Sequence, residues 1–239
     1  EWWDLYRAGS LNTIQQQFFE PRPAEQLFDL SDDPFETKDL ANDPAYADLL
    51  SAMRQELNGR VKSINDLSMF PESMLFAAAF DDPVAFGRQN SARIGQLVDI
   101  ADLSLQSLDD VTGDVVTALE SDDPWVRYWG LIVLSSFGEE AHSFTEIARR
   151  MATKDEENLV RVRAAEFLGL IQAENPASYL IDTLLNANNE MEAVIILNTI
   201  VLLQDFSGYQ IAVSPDLIPS QWQSNGQSNL TLRLDHLNN

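Results

Sequence analysis

The feature that most constrains this chain is a repeat. Val126-Arg127-Tyr128-Trp129-Gly130-Leu131-Ile132-Val133-Leu134-Ser135-Ser136-Phe137 lines up with Val160-Arg161-Val162-Arg163-Ala164-Ala165-Glu166-Phe167-Leu168-Gly169-Leu170-Ile171. Val126 and Val160, Arg127 and Arg161, Leu134 and Leu168, and Phe137 and Ile171 are each 34 residues apart. A helical stretch precedes each copy, at 113–119 and at 144–151. A looser third unit has Tyr179, Leu180, Ile181, Leu184 and Leu185, followed by residues 191–203. A helix pair of this kind leaves an apolar face that only a neighbouring pair can cover, so the pattern predicts stacking into a short solenoid. Residues 125–137 are apolar nearly all round, as an inner helix packed on both sides must be. Asp82-Pro83, Asp123-Pro124 and Asn175-Pro176 each read as a cap followed by proline in the first helical turn. Ten of the 13 residues at 191–203 are apolar. A membrane span needs about 20, so this stretch reads as a buried core helix.

The V-R-x-x-A-A-x-x-L-G pattern of Val160 to Gly169 resembles the second helix of HEAT repeats, although Tyr128-Trp129-Gly130 makes the earlier copy bulkier. That resemblance implies that Arg127, Arg161 and Arg163 bond to acidic residues of neighbouring turns, with Asp123 and Asp155 as the obvious partners. An anion-binding role for these arginines is the alternative. Trp125, Tyr128 and Trp129 have the ring types that stack on a sugar, but such a cluster is more often core.

Ahead of the repeats lies EQLFDLSDDPFETKDL, residues 25–40. Its start alternates, with Leu27 and Asp29 on one face of a predicted strand and Phe28 and Leu30 on the other. Ser31-Asp32-Asp33-Pro34 ends it, because proline has no N–H for a ladder and Asp side chains bond turn backbone. Asp43-Pro44 opens a helix carrying Tyr46, Leu49, Leu50, Met53 and Leu57 on one face. This order resembles the C-terminal subdomain of the formylglycine-dependent sulfatases, in which a strand reading roughly E-E-L-Y-D-L and then D-P-x-E-x-x-N-L leads into a helix. Glu25, Leu27, Asp29, Leu30, Asp33, Pro34, Glu36 and Leu40 stand in the matching places. Phe28 replaces the usual tyrosine and Asp39 the usual asparagine. The run from Trp2-Trp3-Asp4-Leu5-Tyr6 to Phe18-Phe19-Glu20-Pro21-Arg22-Pro23 is similar to the segment entering that strand. The likeness covers about the first quarter of the chain and includes no catalytic motif.

Charge narrows the function classes. The 239 residues include 38 Asp+Glu against 15 Lys+Arg, a formal net charge of −23. Phosphate backbones are repelled and no basic stripe exists to release counterions, which argues against nucleic-acid binding. Anionic membrane surfaces are disfavoured for the same reason. There is no cysteine, so disulfides, thiolate metal sites and a Cys nucleophile are excluded.

The chain also lacks recognisable reaction chemistry. Sulfatases act through a Cys or Ser within C/S-x-P/A-x-R, converted to formylglycine, beside a calcium site of Asp and Asn; neither is recognisable here. The two histidines, His142 and His236, stand far apart in sequence and support no Ser–His–Asp set. Asp32-Asp33, Asp81-Asp82, Asp109-Asp110 and Asp122-Asp123 lack the spacing of a calcium loop and read as caps or turns.

The expected architecture is therefore mainly α. Residues 1–66 form a small α+β piece of a sulfatase C-terminal subdomain and 66–72 a linker. A HEAT-like α-solenoid occupies 72–205, and an irregular capping tail 206–239. The sequence offers no catalytic, cofactor-binding or metal-ligating residue. If the sulfatase resemblance holds, calcium and formylglycine belong to a catalytic domain upstream of Glu1, and the parent is periplasmic or secreted. Its repeats then pack on that domain, shape its cleft or mediate assembly, including homo-oligomers. The alternative is a stand-alone scaffold that binds a protein partner.

Overall fold

A computed structural model describes residues 1–20, 22–222 and 228–238. The chain is mainly helical, with no strand among the described residues. It divides into two compact units, Glu1–Val61 and Lys62–Asn239.

The first unit begins with α1 (Trp2–Arg7) and α2 (Thr13–Gln16), neither of which buries a residue. Asn12 and Gln15 form a reciprocal capping box at the start of α2. Trp2 stacks on Phe18 at 4.7 Å and Tyr6 on Phe19 at 4.7 Å, which ties α1 to the turn after α2. Asp43 caps a short 3-10 turn, Pro44–Tyr46, through Ala45 N–H, and α3 (Ala47–Ser63) follows, as Asp43-Pro44 predicts. The predicted apolar face of α3 is only half right. Tyr46 and Leu50 lie on the partly covered side with Arg54 and Asn58, whereas Leu49, Met53 and Leu57 are at least half exposed.

The strand expected at 25–30 does not form. Leu27 carbonyl accepts from Leu40 N–H at 2.8 Å. Its own N–H donates to the Asp39 side chain at 2.9 Å instead of to a second backbone. A strand needs a neighbouring backbone for each alternate group; here a side chain takes that place and the segment is an extended loop. The α+β expectation for the first unit is thereby replaced by helix and loop.

In the second unit come α4 (Glu72–Ala78), α5 (Pro83–Gln89), α6 (Ser91–Ala101), α7 (Leu108–Leu119) and α8 (Pro124–Ser136), then α9 (Thr145–Lys154), α10 (Asn158–Leu170), α11 (Ala177–Leu185), α12 (Glu190–Ser207) and α13 (Asn229–Asn238). The residues anticipated as a linker are packed into this unit. Met69 and Phe70 are buried, and Trp129 indole N–H donates to Met69 carbonyl at 2.7 Å.

Helix starts follow the Asp-Pro signals. Asp82 accepts from Ala85 N–H and Asp123 from Trp125 N–H, with Pro83 and Pro124 in the first turns. Asn175 accepts from Ala177 N–H at 3.0 Å. Helices α8 and α10 are both 13 residues long and start 34 residues apart. Helix α6 contacts α8, α8 contacts α10, and α10 contacts α12; α7 lies on α8, α9 on α10, and α11 on both α10 and α12. The two repeat copies thus fill corresponding places in one row. Leu131, Leu134, Leu168 and Phe167 are fully buried there, each such side chain contributing about 1.5–3 kcal/mol. Gly169 lets α10 approach closely: a Cβ there would stand 2.9 Å from both Leu203 and Pro176.

No helix is long and apolar enough to cross a membrane among the described residues; residues 191–203 lie in α12, with Ile196, Leu197, Ile200 and Leu203 buried. After α12 the chain is more ordered than the tail reading anticipates. Ile211, Val213 and Ile218 are buried. Leu230, Leu234 and Leu237, at helical spacing, bury one face of α13, which packs on α12. The parts of the expected tail at 223–227 and Asn239 lie outside the described residues, as does Pro21.

Candidate functional site

Residues 25–40 fold around side chains that close the loop on itself. Asp33 accepts Thr37 N–H at 2.7 Å, Lys38 N–H at 2.7 Å and the Thr37 hydroxyl at 3.0 Å. The bond from Lys38 leads the causes that hold its carboxyl below the usual range. Asp29 accepts Ser31 N–H at 3.0 Å. Glu36 sits at φ 54, an uncommon conformation for a residue with a Cβ. Glu25 makes a two-pronged ion pair with Arg54 of α3. Leu27 and Leu40 are the buried pair beneath. Asp39 Oδ1 accepts from both Leu27 N–H and Ala41 N–H, each at 2.9 Å. An asparagine carbonyl oxygen can accept the same two bonds, so Asp39 keeps the usual geometry without the usual residue. The positions of the sulfatase-like motif are thus occupied by loop-closing and packing groups.

In the second unit the arginines form a ladder between helices. Arg127 of α8 donates to Asp155 through Nε at 2.8 Å and Nη2 at 2.7 Å. It also donates to Ser121 carbonyl at 2.8 Å. The Asp155 bond is the main cause holding the Arg127 guanidinium charged above its ordinary range. Asp155 is therefore a partner as anticipated. Asp123 is not the partner of Arg127; Arg93 of α6 takes it in a two-pronged pair. Burial pushes the Asp123 carboxyl up, but Arg93 and Trp125 N–H outweigh this and leave it below its usual range. Arg161 pairs with Asp182 and donates to Ala152 carbonyl at 3.1 Å. Arg93, Arg127 and Arg161 stand at one 34-residue interval. Stepping the repeat back once from Arg127 reaches Arg93, the signal by which this rung is detectable.

Arg163 points elsewhere. It pairs with Glu166 one turn along α10 and lies over the Tyr128 ring at 5.4 Å. Glu166, itself buried, also accepts the Thr199 hydroxyl of α12 at 2.8 Å. Burial raises the Tyr128 phenol above its ordinary value. Trp125 is buried and meets Tyr128 edge-on at 6.1 Å. With Trp129 bonded to Met69, these rings are core, and they do not form a sugar platform.

The remaining candidates are dispersed. His142 lies 3.2 Å from Glu139 and His236 3.1 Å from Asp205, on different elements. Asp82 and Asp123 are caps, Asp33 closes its loop, and Asp110 accepts the Ser107 hydroxyl. Among the described residues no group of three or more His, Asp or Glu could hold a metal ion. With no cysteine and no serine in C/S-x-P/A-x-R, the residues present do not fit the calcium and formylglycine of the sulfatases, and no reaction step runs through them.

No family model matches the chain, and no solved structure matches it. A stretch of 72 residues, 30% of the chain, is 46% identical to an ulvan-active sulfatase of Formosa agariphila. The chain spans 12% of that relative's length. The protein thus carries a segment related to a sulfatase.

Proposed function

We propose that this chain is a non-catalytic, C-terminal portion of a sulfatase whose second unit is a HEAT-like α-solenoid. The observation that carries the reading is the 46% identity over 72 residues, supported by the sulfatase-like motif at 25–40. In this reading the parent hydrolyses sulfate esters or sulfamates of sulfated glycans, with calcium and formylglycine in its catalytic domain. The helix row packs on that domain, shapes the cleft mouth or mediates assembly. A self-contained core in Lys62–Asn239 favours a second reading, a scaffold that binds a protein partner.

The upstream reading frame separates the two. A C/S-x-P/A-x-R motif several hundred residues before Glu1 supports the sulfatase reading, and its absence supports the scaffold. The longer product, matured and supplied with calcium, is then assayed for sulfate release from ulvan, the polysaccharide named for the relative. The chain alone, given an aryl sulfate and calcium, is expected to turn over no more than a heat-killed control.

A further inference from the structure

We propose that the cleft bounded by α6, α7 and the turn into α8 binds a basic amphipathic segment of a protein partner. Its volume of 570 Å³ falls within the range of sites that enclose a ligand or several side chains. Ile100, Leu103, Ala118 and Val126 supply apolar walls. Around them stand Asp99, Asp114, Glu120 and Asp122, and no lysine or arginine lines the cleft.

The state of those carboxylates points to the occupant. Elsewhere in this unit the acids beside α8, α10 and α12 are engaged: Asp123 with Arg93, Asp155 with Arg127, Asp182 with Arg161, Glu166 with Arg163. At the cleft, Asp99 is held by Lys62. The side chains of Asp114, Glu120 and Asp122 have no hydrogen-bond or ion-pair partner among the described residues. Three unpaired carboxylates around an apolar floor repel one another and complement a segment that presents cations beside apolar side chains. A second cleft shares Ser121 and Asp122 and continues to Lys154, Asp155 and Glu156. The surface therefore has the length for a peptide and exceeds what a single small cation needs. A sulfated glycan is repelled by the same charges, so this cleft is separate from any substrate path of the proposed parent enzyme.

The test uses the full chain and a fluorescein-labelled peptide of about twelve residues, with leucines on one helical face and arginines on the other. Binding is read by fluorescence anisotropy at low and moderate salt. Asp114→Asn, Glu120→Gln and Asp122→Asn are combined in one variant. A second variant, Glu72→Gln with Glu140→Gln and Asp216→Asn, changes net charge equally at exposed positions away from the cleft. Circular dichroism confirms that both keep their helix content. The expected result is about tenfold weaker binding by the cleft variant and a change of less than about twofold in the control. Equal losses in both variants would show diffuse charge attraction and overturn the proposal, as would no binding by the unaltered chain. Displacement of the peptide by spermine at matched charge concentration would reassign the cleft to small polyamines and also overturn it.

Discussion

In the first unit a backbone N–H is repeatedly met by an aspartate, while in the second an apolar side chain is met by another. Asp29, Asp33, Asp39 and Asp43 each accept backbone N–H groups within a few residues or across one loop. Its buried apolar residues, among those described, are Leu11, Leu27 and Leu40. The second unit has capped helices too, yet it is held by a continuous core from Ile94 through Leu131 and Phe167 to Leu203. Local polar closure fixes the shape of a loop but removes little apolar area from water. A core does the reverse, so the two units should respond differently to the same class of substitution.

The largest expected contrast comes from leucine truncation. Leu168→Ala removes a fully buried side chain of α10 and should cost about 2–5 kcal/mol. Leu27→Ala, in a loop free to collapse, should fall near about 2 kcal/mol or below. Hydrogen exchange, resolved by segment, measures the opening energy of each unit separately. Equal losses in both units would end the contrast.

Next in size is the ladder. Arg127→Ala leaves the Asp155 carboxylate, whose side chain is 6% exposed, with Glu157 N–H as its remaining donor. Loss of one partner from a pair so covered costs about 2–4 kcal/mol. The double variant with Asp155→Ala should recover part of that loss, because the stranded charge is gone. A double-mutant cycle with no coupling energy would show the rung to be ornamental.

What was legible in the sequence follows the range of the forces involved. The starts at Asp43-Pro44, Asp82-Pro83 and Asp123-Pro124 were readable because cap and proline act within one turn. The repeat of α8 and α10 was readable because the same buried positions recur at one interval. Arg93 escaped because its copy, Ala92-Arg93-Ile94-Gly95, shares little with Val126-Arg127-Tyr128-Trp129 besides the arginine. The strand at 25–30 was misread because alternation states which faces differ and not whether a partner backbone exists. Met69 and Phe70 looked like linker because a short apolar run carries no period; their burial depends on Trp129, sixty positions along the chain. Of the candidate chemistry, the absence of a formylglycine motif could be read directly. The unpaired carboxylates of the α6–α7 cleft could not, since pairing is a property of three-dimensional neighbours.

Acid should loosen the loop of the first unit through Asp33. Its folded pKa is depressed, so its contribution is complete above the unfolded carboxylate value of about 3.9. That contribution is lost as pH falls through the lower folded value. Protection of the Thr37 and Lys38 amides, corrected for intrinsic exchange, should therefore persist at mild acidity and disappear on stronger acidification. Asp33→Ala should abolish that protection at every pH. A loop that kept these amides protected in the variant would be held by something other than the carboxylate.

The smallest effect should come from Asp39→Asn, and its smallness is informative. Both amides that reach Asp39, those of Leu27 and Ala41, bond to the same oxygen, Oδ1. Asparagine keeps that oxygen as its carbonyl, and its NH2 replaces an oxygen for which no hydrogen bond is seen. The charge lost is exposed, in a chain of net charge −23, so removing it slightly relieves self-repulsion. The change should lie within about 0.5 kcal/mol. Asp39→Ala, which removes the acceptor, should instead release the Leu27 amide and with it the bond from Leu40 to Leu27. If Asn destabilised the loop as much as Ala, negative charge and not acceptor geometry would be what residue 39 supplies. The substitution that separates this chain from the usual sulfatase pattern would then be a functional departure.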